Sequence, residues 1–328
     1  MQATYGMYIW FVTSFGTSLA EAIIRNVNSE RWSATLFSEW IATSLSENAG
    51  TGKNRDKMNA NYLPWYLERG DGPLVATAIH DGHDVREELA EWFALSETDR
   101  LREEDPFTGG WTIAAPTRLI ARQSRFEVDF NRPREKAVYQ TPNDAWGLNV
   151  WKRHISRDCV ERSLAVYDAF YQEVGGLLER MTQRYDRVVV LDLHSYNHRR
   201  EGPSGPPVDP HDNPEVNLGT GTMDRRRWSS IVERFILDLR NFDYQGRHLD
   251  VRENVKFRGG YFPAWIHQNF PETVCVLSVE FKKFFMDEWT GRADETQLAT
   301  IQRALQSTIW GIHEELVKFG QIDRELAT

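Results

Sequence analysis

Aspartate, histidine and serine crowd the end of one apolar run. Residues 188–191 are continuous, mostly β-branched and apolar, the pattern of a strand covered on both faces by helices. The run delivers Asp192, His194, Ser195 and His198 where the strand must end. In open α/β sheets ligands bind beyond the carboxyl ends of strands, so this is a polar, metal-capable tip. Taken alone, a strand-end histidine bonded to a backbone carbonyl is the plainer alternative. Two further runs repeat the pattern: residues 74–79 end in His80-Asp81-Gly82-His83-Asp84, and residues 273–281 carry Glu280 at their tip. A glutamate after so apolar a run is costly to bury unless it has a partner or a task. A catalytic zinc site takes three ligands from His, Asp and Glu and keeps one position open. It also wants a nearby carboxylate that can accept a proton. The strand ends and adjoining loops supply all of these residue types. For Glu280 the structural alternative is a buried ion pair with Lys282 or Arg258.

The elements that must hold these side chains alternate along the chain. Val85, Leu89, Trp92 and Phe93 recur at helical spacing, with Asp84 as N-cap. A polar or helical turn starting at 96–99 leads into LREEDPFTGG at 101–110, which turns at Pro106 and Gly109-Gly110. Residues 117–121 are short and apolar. Residues 124–132 set Phe126, Val128 and Phe130 against Arg125, Glu127, Asp129 and Asn131, which predicts a half-buried strand stopped by Pro133. Residues 139–151 read as loop. The strongest amphipathic pattern spans 157–184 and feeds directly into the strand at 188, an αβ unit. A proline-rich loop at 201–214 follows, then a helix over 224–242, a tight turn at Gly259-Gly260, the strand at 273–281 and a closing helix over 295–319. Strands alternating with helices give an α/β fold.

The 328 residues, 41% of them hydrophobic, suffice for a large core in one or two domains. A formal net charge of −9 argues against non-specific binding to nucleic acid or to an anionic membrane surface. Local arginines can still reverse the field for a small anion. Cys159 and Cys275 form no CxxC pair, which disfavours a thiolate zinc or redox site. Both read as packing residues, in keeping with a reducing compartment. No stretch reaches the roughly 18–20 apolar residues of a membrane helix, and the N-terminus lacks the basic start of a secretory signal. A cytoplasmic location is expected. Residues 1–57, with short helices over 17–28 and 29–46 and then the polar ENAGTGKNRDK, read as a peripheral extension. The compact domain is expected over 58–328. There is no GxSxG, and neither the P-loop nor the Rossmann glycine pattern occurs.

HDG at 80–82, EEDP at 103–106, SRFEVDFNRP at 124–133, DLHS at 192–195 and VEFKKFFMDE at 279–288 follow one another in order. Through these motifs, which reach from about residue 60 to 290, the chain resembles the N-formylglutamate amidohydrolase family, similar in fold to zinc carboxypeptidases and aspartoacylase. The resemblance implies a mixed, mostly parallel central sheet flanked by helices. It implies hydrolysis of the linear amide of an N-formyl amino acid, such as N-formyl-L-glutamate, with one zinc ion. His80 and His194 would be metal ligands. The acidic ligand comes from EEDP, with Asp105 first and Glu104 as alternative. His83 competes, because zinc carboxypeptidases place a glutamate ligand three residues after the first histidine; otherwise it lies at the surface or behind the ligands. Glu280 matches the family's strand-borne general base. Asn131 and Arg132 resemble the pair that grips a substrate carboxylate, a task suited to the planar fork of arginine. Arg125 would take a second carboxylate or the developing oxyanion. Tyr261, after Gly259-Gly260, is a substrate contact or a packing aromatic. Asp192 would orient a ligand histidine or cap a turn. Lys282-Lys283, the loop at 201–214 and the segment 134–157 depart from the family's pattern, which opens the choice of substrate. The alternatives are a peptidase or N-acyl amino acid deacylase using the same residues, and a non-catalytic metal- or ligand-binding relative. The expected partner is a small carboxylate-bearing amide, with neither nucleic acid nor membrane; the oligomeric state is left open.

Overall fold

A computed structural model describes residues 63–326; the expectations for residues 1–57 lie outside the described residues. Seven runs rich in Val, Leu and Ala form one sheet: β1 (Trp65–Glu68), β2 (Leu74–Ala78), β3 (Thr117–Ala121), β4 (Val188–Tyr196), β5 (Val216–Gly219), β6 (Val251–Glu253) and β7 (Val274–Lys282). Their order is β1-β3-β2-β4-β7-β5-β6. β3, β2, β4 and β7 run parallel, β1 and β5 lie antiparallel to their inner neighbours, and β6 is parallel to β5. This is a mixed, mostly parallel sheet flanked by helices. Every residue of β2 and β4 is buried, as both-face coverage requires. A small hairpin, β8 (Met286–Asp287) and β9 (Arg292–Ala293), follows β7.

The helices are α1 (Glu87–Ala90), α2 (Glu97–Glu103), α3 (Thr108–Trp111), α4 (Arg157–Arg184), α5 (Ser229–Asn241), α6 (Tyr261–Asn269) and α7 (Glu295–Leu326). Ser156 caps α4 by accepting from the Cys159 N–H. The apolar stripe of α4, including Phe170, Val174, Leu177 and Leu178, packs against Val75, Val188, Val190, Val274 and Val276 of the sheet. Each such side chain taken fully out of water contributes roughly 1.5–3 kcal/mol. On the opposite face Trp111 of α3 meets Phe281 of β7, with ring centroids 5.1 Å apart. Among the described residues no helix is long and apolar enough to cross a membrane.

Four local expectations differ from the structure. Residues 124–132 form turns rather than a strand: the Ser124 N–H donates to the Asp84 carbonyl, and the Glu127 and Val128 N–H groups turn back to Ser124. The alternation there misleads because Glu127 and Asp129 are as buried as Phe126, Val128 and Phe130. The helix at 84–93 shrinks to the single turn α1, because the Asp84 backbone pairs across to Gln123. Gly109 and Gly110 lie inside α3. A helix, α6, begins directly after Gly260 where only a turn was foreseen.

Candidate metal centre

β2, β4 and β7 are neighbours in the sheet, so their carboxyl ends meet. On the face covered by α4, each strand changes from apolar to polar midway. Val75 gives way to Thr77, Val188 and Val190 to Asp192 and His194, Val274 and Val276 to Ser278 and Glu280. Register aligns the polar halves: Thr77 pairs with Asp192, Asp192 with Ser278, and His194 with Glu280, which pairs in turn with Asn217 of β5.

Beyond these tips the ligand atoms of His80, Asp105 and His194 lie within 4.8 Å of one another, all three residues buried. Among the described residues it is the one cluster of His, Cys, Asp and Glu able to hold a metal ion. Both imidazoles turn Nδ1 toward the same carboxylate oxygen, Asp105 Oδ2, at 2.9 Å from His194 and 3.4 Å from His80. Both turn Nε2 toward another buried carboxylate: His194 to Asp192 at 3.0 Å, His80 to Asp129 at 2.7 Å. A carboxylate behind an imidazole favours a proton on Nε2, which would leave the Nδ1 lone pair to a cation in place of its present contact with Asp105. Asp192 is itself held, accepting from the Thr77 hydroxyl at 2.8 Å.

Asp105 reaches this place from the loop between α2 and α3. Its N–H donates to the His80 carbonyl at 2.9 Å. Lys283, fully buried at the end of β7, donates to the carbonyls of Arg102 and Glu104, each at 2.6 Å. Desolvation draws the Lys283 ammonium down to about 8, a fall that the charges of Asp105 and Glu103 resist. Asp81 accepts from the Gly109 N–H at 2.9 Å. Lys283 thus ties the loop that carries Asp105 to the end of the strand that carries Glu280.

The field of the centre is strongly negative. Burial pushes the Asp129 carboxyl up, but the Arg125 and His80 charges overcome it and hold it well below the usual range. Burial likewise opposes ionisation of Asp105, and the hydrogen bonds of His194 and His80 overcome it. For His194 desolvation favours the neutral ring, and the Asp192 and Glu280 charges drive it the other way, well above the ordinary value. Glu280 itself is pushed up to about 7, first by desolvation and then by Asp105 and Asp192. It makes no hydrogen bond or ion pair among the described residues, since Lys282 turns away to the Asn213 carbonyl at 2.9 Å. Four carboxyl groups surround the two imidazoles, a setting that favours bound positive charge. Two nitrogens and a carboxylate oxygen are also the donor types zinc accepts. The residues present therefore fit a divalent cation.

The other candidates separate clearly. Glu104 and His83 pair with each other, His83 Nδ1 2.5 Å from Glu104 Oε2, and Ser124 donates to the second oxygen of Glu104. Neither joins the cluster. Arg125 lies beside it, with one guanidinium nitrogen 2.8 Å from Asp129 and its buried Nε without a partner. Arg132 is a third exposed, and its nearest carboxylate is Asp129 at 3.9 Å. The Asn131 side-chain oxygen accepts from the Phe262 N–H at 2.9 Å, and a Cβ on Gly260 would overlap that carboxamide. Asn131 therefore stitches the 124–132 segment to the start of α6, with its NH₂ left for any further contact. Tyr261 packs edge-on against Tyr171 at 6.0 Å. Sequence reasoning gave no role to Asp129. Its signal lay inside DFNRP, where a carboxylate stands four residues after Arg125.

The family model for N-formylglutamate amidohydrolase matches residues 72–285. Among solved structures, the N-formylglutamate amidohydrolase from Ralstonia eutropha JMP134 superposes with a TM-score of 0.61 at 22% identity. That similarity covers 79% of this chain and 100% of the other. A gene product from Agrobacterium tumefaciens superposes with a TM-score of 0.51 at 15% identity, covering 77% of this chain and 98% of the other. At these identities the likeness is one of fold. No curated protein matches the chain.

Proposed function

The chain belongs to the N-formylglutamate amidohydrolase family, and from that premise we propose that it hydrolyses the amide of an N-formyl amino acid, N-formyl-L-glutamate first among them, with one zinc ion. The observation that carries this reading is the paired arrangement of His80 and His194, each backed by a buried carboxylate and each facing Asp105. Their two Nδ1 atoms and the Asp105 carboxylate would hold the ion. When bound, zinc supplies Lewis-acid chemistry, polarising a carbonyl and bringing the acidity of water close to neutral pH.

The chain's own groups do the rest. Glu280, directly across the strand pair from His194, accepts the proton of the attacking water and returns it to the leaving nitrogen. Its carboxylate, without a hydrogen bond or ion pair among the described residues, is free to do both. The unpartnered Nε–H of Arg125 donates to the oxygen on which negative charge develops. Arg132 and the NH₂ of Asn131 hold the substrate carboxylate. Asp129 and Asp192 keep the two imidazoles in the required tautomer. Formate and the free amino acid leave.

Metal analysis coupled to a formate-release assay tests this. Wild-type activity should vanish on chelation and return with zinc. Glu280→Gln should retain the metal and lose at least about 10²-fold in kcat. Turnover of N-acetyl or peptide substrates but not N-formylglutamate would move the reading to a deacylase or peptidase. Stoichiometric zinc without turnover on any amide would make the chain a binding protein.

A further inference from the structure

The segment 134–157 brings one exposed aromatic beside the centre. Trp146 is 53% exposed, yet its indole lies against two guanidiniums, 4.8 Å from Arg125 and 5.8 Å from Arg132. Tyr139 meets it edge-on at 6.0 Å. The Trp146 backbone is left-handed, with φ 53°, and Gly147 follows at φ 93°. A bulky residue in that region is an outlier that its surroundings must hold in place. Thr141 and Asp144 cap the 3-10 turn Pro142–Ala145 reciprocally, and the Gly147 N–H returns to the Pro142 carbonyl at 2.7 Å. This turn carries the indole outward rather than burying it.

The arginines beneath have donors to spare. Arg125 gives one nitrogen to Asp129 and keeps Nε for the oxyanion, while Arg132, with no carboxylate closer than 3.9 Å, keeps its donors for a carboxylate. An aromatic face over a guanidinium screens that side from water and leaves the in-plane donors free. Resting on the function proposed above, we propose that Trp146 roofs the carboxylate-binding end of the site, contacts the substrate's side-chain carboxylate and sets the preference for N-formyl amino acids with acidic over uncharged side chains.

Formate release by zinc-loaded wild type, Trp146→Ala and Trp146→Phe, measured on N-formyl-L-glutamate and on N-formyl-L-methionine, whose side chain is uncharged, tests this directly. Removing the indole should raise KM for N-formyl-L-glutamate about tenfold, with kcat and the KM for N-formyl-L-methionine held within about twofold. Trp146→Phe should fall between, and it carries the comparison should Trp146→Ala fail to fold. A second readout needs no turnover. In protein labelled with 5-fluorotryptophan, the ¹⁹F resonance missing from Trp146→Phe should shift when L-glutamate is added. Equal KM changes for both substrates, or a resonance that stays still under saturating L-glutamate, overturns the proposal. If wild type releases no formate from either compound, the functional reading fails instead, and the ¹⁹F titration still decides whether Trp146 borders a carboxylate site.

Discussion

Asp129 commits both of its oxygens inside the protein. One meets His80 Nε2 at 2.7 Å and the Asn131 N–H at 2.8 Å; the other takes Arg125 at 2.8 Å and the Tyr139 hydroxyl. It thus fixes a proposed ligand, the proposed oxyanion donor and the backbone of the proposed carboxylate grip together. Asp192 has the simpler task of holding His194 and the Thr77 hydroxyl. The two acids should therefore fail differently. Asp192→Asn keeps an acceptor for the imidazole and should weaken zinc binding about 10–100-fold, read by competition with a chromogenic chelator, with little change in Tm. Asp129→Ala strands the buried Arg125 charge and should lower folding stability by about 3–5 kcal/mol, read by denaturant unfolding of the metal-free protein. Equal stability losses in the two variants would count against this division of labour.

β7 shows how an element completes itself and how the sequence both displays and conceals it. β5 pairs only with residues 278–281 of β7, so the earlier edge of the strand needs another partner. His267 near the end of α6 supplies it, its Nε2 accepting from the Val276 N–H at 3.0 Å while Nδ1 meets the Thr222 hydroxyl at the same distance. Desolvation draws this imidazole down to about 4. Because the folded state keeps the ring neutral while an unfolded one titrates near 6.5, its contribution is complete above about pH 6.5 and is lost as pH falls toward 4. Over that window the loss amounts to about 3 kcal/mol. His267→Gln, which can still accept from Val276 without titrating, should shrink the Tm difference between pH 7.5 and pH 5; an unchanged difference would assign acid sensitivity to other groups. The strand itself was legible as an apolar run ending in Glu280, as were β2, β4 and α4. Read with a period of two, β4 says more: Val188, Val190, Asp192 and His194 share one face, apolar then polar, so the covered sheet and its site are written in one strand. The 124–132 segment was not legible, because alternation signals a strand only when one side meets water, and here Glu127 and Asp129 are fully buried. Gly82 looked like a motif letter; a Cβ there would overlap the Arg122 carbonyl, where the chain after β2 passes the end of β3. Such close approaches depend on which loops meet, information that local patterning does not contain.

Among the described residues, the seven strands of the main sheet, the proposed ligands and the strands that aim them run from Trp65 to Lys282. The family match spans 72–285, and the whole Ralstonia enzyme aligns with 79% of this chain. A unit of this size buries enough apolar surface to fold independently. The cores on both faces of its sheet are closed by its own helices, with α4 over one face and Trp111 of α3 over the other. We therefore propose that residues 58–328 form the catalytic domain. A protein comprising 58–328 should unfold in one cooperative transition, bind zinc in a one-to-one ratio and release formate with kcat/KM within about twofold of the full chain, because no group assigned to the chemistry is removed. Calorimetry, metal analysis and the formate assay on both forms check this. Their outcomes separate two roles. A shortened protein that precipitates or loses cooperativity would make the first 57 residues part of the fold, whereas one that folds and holds zinc with a raised KM would make them part of the substrate's path to Arg125, Arg132 and Trp146.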